Sequence, residues 1–170
     1  MTHVRRLVHI LFVLFSASCA SMPQSSGSPV AGAWLVVDVR FGDEGGENEA
    51  MRAQPGQFLF TDRRYAAVWV TQVEPRALAA NPWAATREEM IANYQSLAAN
   101  SGTYDISGSR LTIRPIVAKN PNFPGGQLTY EFRIEGDMLF LESIDERTAA
   151  GIVPPDFDSI REKLVLRRVD

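Results

Sequence analysis

The sequence predicts an all-β domain, an antiparallel barrel or sandwich of eight short strands with one inserted α-helix. Two observations carry that prediction. From Val30 onward, short runs of alternating apolar and polar residues recur, each bounded by a Gly, Asp or Ser turn. One stretch exchanges this period of two for the helical period, behind the capping box Thr86-Arg87-Glu88-Glu89.

The first strand is expected over residues 30–41, followed by a polar, acidic, Gly-rich loop over 42–55. Residues 56–61 and 65–72 flank Asp62-Arg63-Arg64 as a tight hairpin. Residues 103–106 and 110–117 flank Ser107-Gly108-Ser109, and 128–134 and 138–143 flank Glu135-Gly136-Asp137. Residues 163–168 supply the last strand. The helix falls between the 65–72 and 103–106 strands. Met90, Tyr94, Leu97 and Ala98 recur in it at helical spacing, and Gly102 supplies its stop. With its lead-in from Glu74 it makes an excursion of about 30 residues, long enough to be a cover or a functional element. An apolar stripe needs burial, so a plug or cover for the barrel is favoured over a mobile lid.

Residues 1–18 read as an export signal and are set aside from the fold. Arg5 and Arg6 form a positive n-region, and Leu7 to Phe15 form an apolar run interrupted only by His9. That run is shorter than the roughly 20 residues a spanning helix requires. Ser16-Ala17-Ser18-Cys19 resembles a bacterial lipobox, with Ser16 where Leu is usual, and the resemblance implies lipidation of Cys19. Ser18-Cys19-Ala20 also fits ordinary cleavage near Ala20. Two features favour the lipid: Cys19 is the sole cysteine and has no disulfide partner, and residues 19–29 form a Ser/Gly/Pro-rich tether. The expected product is an exported protein of the periplasm or outer membrane. It is anchored to the membrane through Cys19 or, alternatively, soluble in the periplasm.

Cleavage also strips the chain of both histidines, His3 and His9. Loss of Arg5 and Arg6 leaves 15 basic residues of the 17, against 20 acidic ones, a net charge of −5. A mildly acidic domain with dispersed charge argues against nucleic acid and against electrostatic adhesion to anionic lipid. The 30–170 segment is the length of one ordinary domain with a single core.

Gly32-Ala33-Trp34 matches the Gly-x-Trp signature of the first lipocalin strand. The chain resembles the bacterial lipocalin-like domain family of calycin barrels from Gly32 to about Leu141. Pro55-Gly56-Gln57-Phe58-Leu59-Phe60-Thr61, the Tyr65 strand, the inserted helix, Ser101-Gly102-Thr103-Tyr104 and the loop Asn120 to Gly126 occur in the family order. Two positions depart from the family pattern. Arg63-Arg64 stands where the family tends to have Gly, and Leu111-Thr112-Ile113-Arg114-Pro115 stands where histidines are frequent. Any His-dependent activity of relatives is therefore not carried over. The resemblance implies a closed antiparallel eight-stranded lipocalin-like barrel with a central cavity for a small molecule. It further implies that Trp34 closes the barrel base under a basic side chain of the last strand, with Arg167 the expected one.

Strand alternation predicts which side chains face the cavity. The apolar set is Phe58, Phe60, Ala66, Val68, Val70, Tyr104, Ile106, Leu111 and Ile113, continuing through Tyr130, Phe132, Ile134, Leu139, Leu141, Leu164 and Leu166. Tyr65 and Trp69 fall on the opposite face, Trp69 at the mouth or under the helix, and the first strand reads as apolar on both faces. The candidate ligand contacts are Phe58, Phe60, Val68, Trp69, Tyr104, Ile113, Tyr130 and Phe132. The same residues would fill a barrel of this size if it is solid.

Catalytic and metal motifs are scarce. The mature chain has no Cys–His or Ser–His pair and no phosphate loop, and no cofactor is expected. The acidic loop from Asp43 to Glu49 lacks EF-hand spacing and reads as a solvated loop. Three function classes remain. The favoured one is an envelope-anchored binding protein for a small apolar or amphipathic molecule. The others are a barrel isomerase or cyclase using Glu131–Arg114 or Asp38–Arg40, and a ligand-free interaction domain with an apolar patch near Trp69, Trp83 and Phe123.

Overall fold

The computed structural model describes residues 27–42, 51–52, 54–72 and 74–170. The export segment with Cys19, most of the tether and the acidic loop from Asp43 to Glu49 lie outside the described residues. Among the described residues, nine strands and two helices follow in order: β1 (Gly32–Phe41), β2 (Met51–Arg52), β3 (Gly56–Phe60), β4 (Arg64–Val70), α1 (Arg87–Gln95), β5 (Leu97–Ser107), β6 (Arg110–Ala118), β7 (Gln127–Glu135), β8 (Met138–Arg147), α2 (Phe157–Ile160) and β9 (Glu162–Arg168).

Every pairing is antiparallel, and β1 pairs with β9 to close the sheet. The closed ring is β1, β3, β4, β5, β6, β7, β8 and β9, with β2 a two-residue addition beside the far end of β1. The expected eight-stranded barrel is therefore the observed one. Closure leaves no long unpaired edge among the described strands, which suits a chain with this many apolar strands. Gly136 in the β7–β8 turn sits at φ 62°, a conformation other residues adopt at a cost.

Three irregularities re-aim side chains. In β1 the register against β9 shifts between Val36 and Asp38, so Trp34, Val36, Val39 and Phe41 all turn inward. The bulge explains why the strand reads as apolar on both faces. A second shift faces Ser101 and Gly102 in β5 with Val117 and Pro115 in β6. Here a Cβ on Gly102 would lie 2.0 Å from the Arg114 carbonyl oxygen, so only glycine fits. A third shift, where Thr129 and Tyr130 of β7 face Asp145 and Ser143 of β8, puts Glu146 opposite inward Leu128.

The alternation predicted for β4 is reversed. Phe58 pairs with Ala67 and Phe60 with Tyr65, so Tyr65, Ala67 and Trp69 point into the barrel. Val68, expected inside, is 47% exposed on the outer wall. The pairing decides this, because residues opposite each other across two strands share a face.

One end of the barrel is filled. Phe58, Phe60, Tyr65 and Tyr104 pack there, with Phe60 edge-on to Tyr104 at 5.3 Å between ring centroids. Beneath them Trp34 is fully buried, and its indole Nε1 donates to the Val30 carbonyl at 2.8 Å. The basic residue stacked on Trp34 is Arg168, not Arg167, with its guanidinium carbon 4.1 Å from the ring. Arg168 pairs with Trp34 across the β1–β9 seam and so shares its inward face, whereas Arg167 points out. The guanidinium also donates to the Ala31 carbonyl at 2.6 Å, tying the chain entry to the closing strand.

The helix is shorter than its periodicity predicts. Thr86 caps it in a complete capping box with Glu89, but Leu97 and Ala98 already belong to β5. No residue of α1 is buried, and Met90, Ile91 and Tyr94 remain exposed at the rim. The expected plug or cover is therefore absent: α1 rests beside the mouth, joined to it where the Tyr94 hydroxyl donates to the Lys119 carbonyl at 3.3 Å.

Candidate functional site: a cavity with one apolar and one acidic wall

Above the aromatic plug the interior opens into a cavity of about 300 Å³, reached from the end that carries α1 and the 119–126 and 148–161 loops. This volume is at the lower end of the range for small-molecule sites. The barrel is thus filled at its base and hollow at its mouth. The β4–β6 wall contributes Trp69, Ala98, Asn100 and Ile113, with Leu128 beside them on β7. The opposite wall, from β8 and β9, contributes Ser143, Glu146 and Glu162.

The acidic wall is built by register. Glu162 pairs with inward Phe41, two residues before inward Leu164, so alternation carries its carboxylate into the barrel. Its backbone N–H donates to Ser143 Oγ at 2.8 Å, and its carboxylate accepts a short hydrogen bond from the Tyr130 hydroxyl. Burial pushes the Glu162 pKa up to about 7; the Tyr130 bond opposes that rise and the nearby Glu146 charge adds to it. Burial likewise raises Glu146. Tyr130 is fully buried, and desolvation with the adjacent Glu162 charge holds its phenol well above the usual range. Tyr65 has a buried hydroxyl with no partner among the described residues, and burial raises its phenol as well.

Basic residues at the rim are occupied elsewhere. Lys119 Nζ donates to the carbonyls of Tyr94 and Leu97 and stands 4.4 Å from the Tyr94 ring centroid. Arg147 Nε donates to Asp145 at 2.9 Å. Two polar atoms of the cavity wall, Trp69 Nε1 and Asn100 Oδ1, are buried and unpartnered among the described residues. No cluster of His, Cys, Asp and Glu among the described residues is placed to hold a metal ion.

Of the eight residues singled out from the sequence, Trp69 and Ile113 line this cavity. Tyr130 reaches it through Glu162, while Phe58, Phe60 and Tyr104 belong to the plug beneath and Phe132 packs partly buried against the core. Val68 faces outward. The ion pairs considered for catalysis are on the outer wall. Arg114 bonds Asp105 rather than Glu131, and Arg40 bonds Asp38 at 2.9 Å. Asp38, Arg40 and Glu131 line a trough of about 620 Å³, larger than the cavity but outside the barrel, where solvent screens them. Sequence reasoning missed Glu162 and Glu146. Glu162 was readable, since it shares parity with Leu164 and Leu166; Glu146 was not, because a bulge sets its direction.

A closed antiparallel barrel with a plugged base and a small cavity at its open end is the lipocalin-type architecture. Residues 31–166 match the family described as a lipocalin-like domain, and the chain belongs to that family. Among solved structures it is similar to a lipocalin-like protein from Bacteroides uniformis, at 15% identity and a TM-score of 0.43, over 82% of this chain and 97% of that one. No curated protein matches the chain.

Proposed function

We propose that this protein is a binding protein of the bacterial envelope that holds a small apolar or amphipathic molecule in the open half of its barrel. The observation that carries the reading is the cavity of about 300 Å³ between Trp69, Ile113 and Leu128 on one side and Glu162 and Glu146 on the other. A mostly apolar recess with a few polar groups is the usual form of a small-molecule site. The export signal and the lipobox-like Cys19 support an anchored location, with the tether joining the domain at its plugged end and the mouth turned away from it.

Native mass spectrometry of protein purified from the membrane fraction tests both parts. A non-covalent adduct lost on denaturation is expected, together with a denatured mass equal to residues 19–170 plus acyl groups. A bare native mass and failure of medium-chain probes to bind would remove the binding reading. A denatured chain starting near Ser21 would remove the anchor.

One observation favours a second reading, acid–base catalysis. Tyr130 and Glu162 form a part-buried phenol–carboxyl pair at the cavity edge, with a carboxyl poised near neutral pH. Turnover of a carbonyl-containing substrate that is lost in both Tyr130→Phe and Glu162→Gln would establish it; ligand release in unchanged form would exclude it.

A further inference from the structure

We propose that the cavity selects an amphipathic primary amine, whose ammonium head sits between the carboxyls of Glu162 and Glu146 while its tail lies along Trp69, Ile113 and Leu128. The inference rests on the binding reading above and names the chemistry of the ligand. Charge on this wall is unbalanced. Two carboxyls share one wall of a small recess, and among the described residues neither forms an ion pair. The other charged groups near them are committed. Arg147 and Lys119, which also line the recess, are held by Asp145 and by backbone carbonyls; Arg161, the neighbour of Glu162 in sequence, pairs with Asp158 at 2.8 Å and Glu142 at 3.8 Å, and its Nε is buried without a partner among the described residues. Tyr65 and Tyr130 stay protonated at physiological pH, so they add no charge of either sign to the wall.

A buried carboxyl without a cation is relieved either by a proton or by a positive ligand. The raised pKa values of both acids are the proton solution. An ammonium group is the alternative, and it also brings three donors to an acceptor-rich site. Asn100 Oδ1 is a further acceptor without a partner in the same cavity. The second independent sign that the site is unfinished is Trp69. It is 4% exposed, it lines the cavity, and its Nε1–H has no partner among the described residues; an ammonium head cannot accept from it, so it calls for an acceptor elsewhere on the ligand. Carboxylate-headed amphiphiles would meet repulsion from two acids, with Lys119 and Arg147 already engaged among the described residues, so the site discriminates by charge as well as by shape.

Three probes with the same tail, octylamine, octanol and octanoate, isolate the head group by isothermal titration calorimetry on the purified protein. Octylamine is expected to bind at least tenfold more tightly than octanol, and octanoate to bind least. Because the ammonium pairs with the deprotonated acid, octylamine affinity should rise about tenfold between pH 6 and pH 8, following Glu162 with its pKa of about 7, while octanol affinity stays flat. In Glu162→Gln and Glu146→Gln the amine-to-alcohol affinity ratio should fall toward one, with circular dichroism checking the fold. Octanol or octanoate binding as tightly as octylamine, or a pH-independent amine affinity, overturns the charge selectivity and leaves the binding reading intact. Failure of all three probes overturns both.

Discussion

At the scale of single residues, Glu162 couples the cavity to stability. Its pKa is raised by burial from 4.5 to about 7, so between those values the folded chain holds a proton that the unfolded chain has released. Stability from this group is therefore fully present below about pH 4.5 and is lost as pH rises through 7. The decline is expected to reach roughly 3 kcal/mol, and Glu146 acts in the same direction. Urea unfolding at pH 5 and pH 8 should show the difference, and Glu162→Gln should remove most of it. A flat profile in the parent protein would disprove the burial of this carboxyl. Glu162 was readable from alternation once β9 is started one residue earlier. Trp69 was not: its local pattern assigns it outward, and only pairing with Gly56 turns it in.

At the scale of elements, α1 and the bulges behave oppositely. The helix has a complete cap and no buried residue, so its own hydrogen bonds and the rim contacts hold it. Thr86→Ala is expected to weaken it by about 1 kcal/mol, read as faster hydrogen exchange at the α1 amides with no shift in the global unfolding midpoint. Loss of global stability in that variant would mean that α1 is part of the core. The bulge at Gly102 belongs to the barrel wall. Gly102→Ala forces a Cβ against the Arg114 carbonyl, and a cost of about 1–3 kcal/mol in global unfolding is expected by urea titration. The capping box announced the helix from local sequence because capping is a local interaction. Its packing was misjudged because exposed Met90, Ile91 and Tyr94 look the same in a sequence as buried ones.

At the scale of the whole molecule, the seam between β1 and β9 joins the two ends of the domain. Trp34 and Arg168 meet across it, and the turns at that end close over the aromatic plug. Trp34→Ala removes the largest fully buried side chain at the base, and a loss of about 3–5 kcal/mol in unfolding free energy is expected. A smaller effect, measured by the same urea titration, would mean that the plug above Trp34 holds the base without it.

What the sequence determined by itself is the set of local features: eight strands from alternation, their turns, one capped helix, and a family resemblance carried by Gly32-Ala33-Trp34 and the segments after it. Each depends on residues adjacent in the chain or one turn apart. What only the tertiary structure decided is direction and assembly: Trp69 and Tyr65 inward, Val68 outward, Arg168 rather than Arg167 over Trp34, and Glu146 beside Glu162. These follow from cross-strand register and from single-residue bulges. A shift of one residue reverses every side chain beyond it, and the pairing that sets the shift joins segments far apart in the chain.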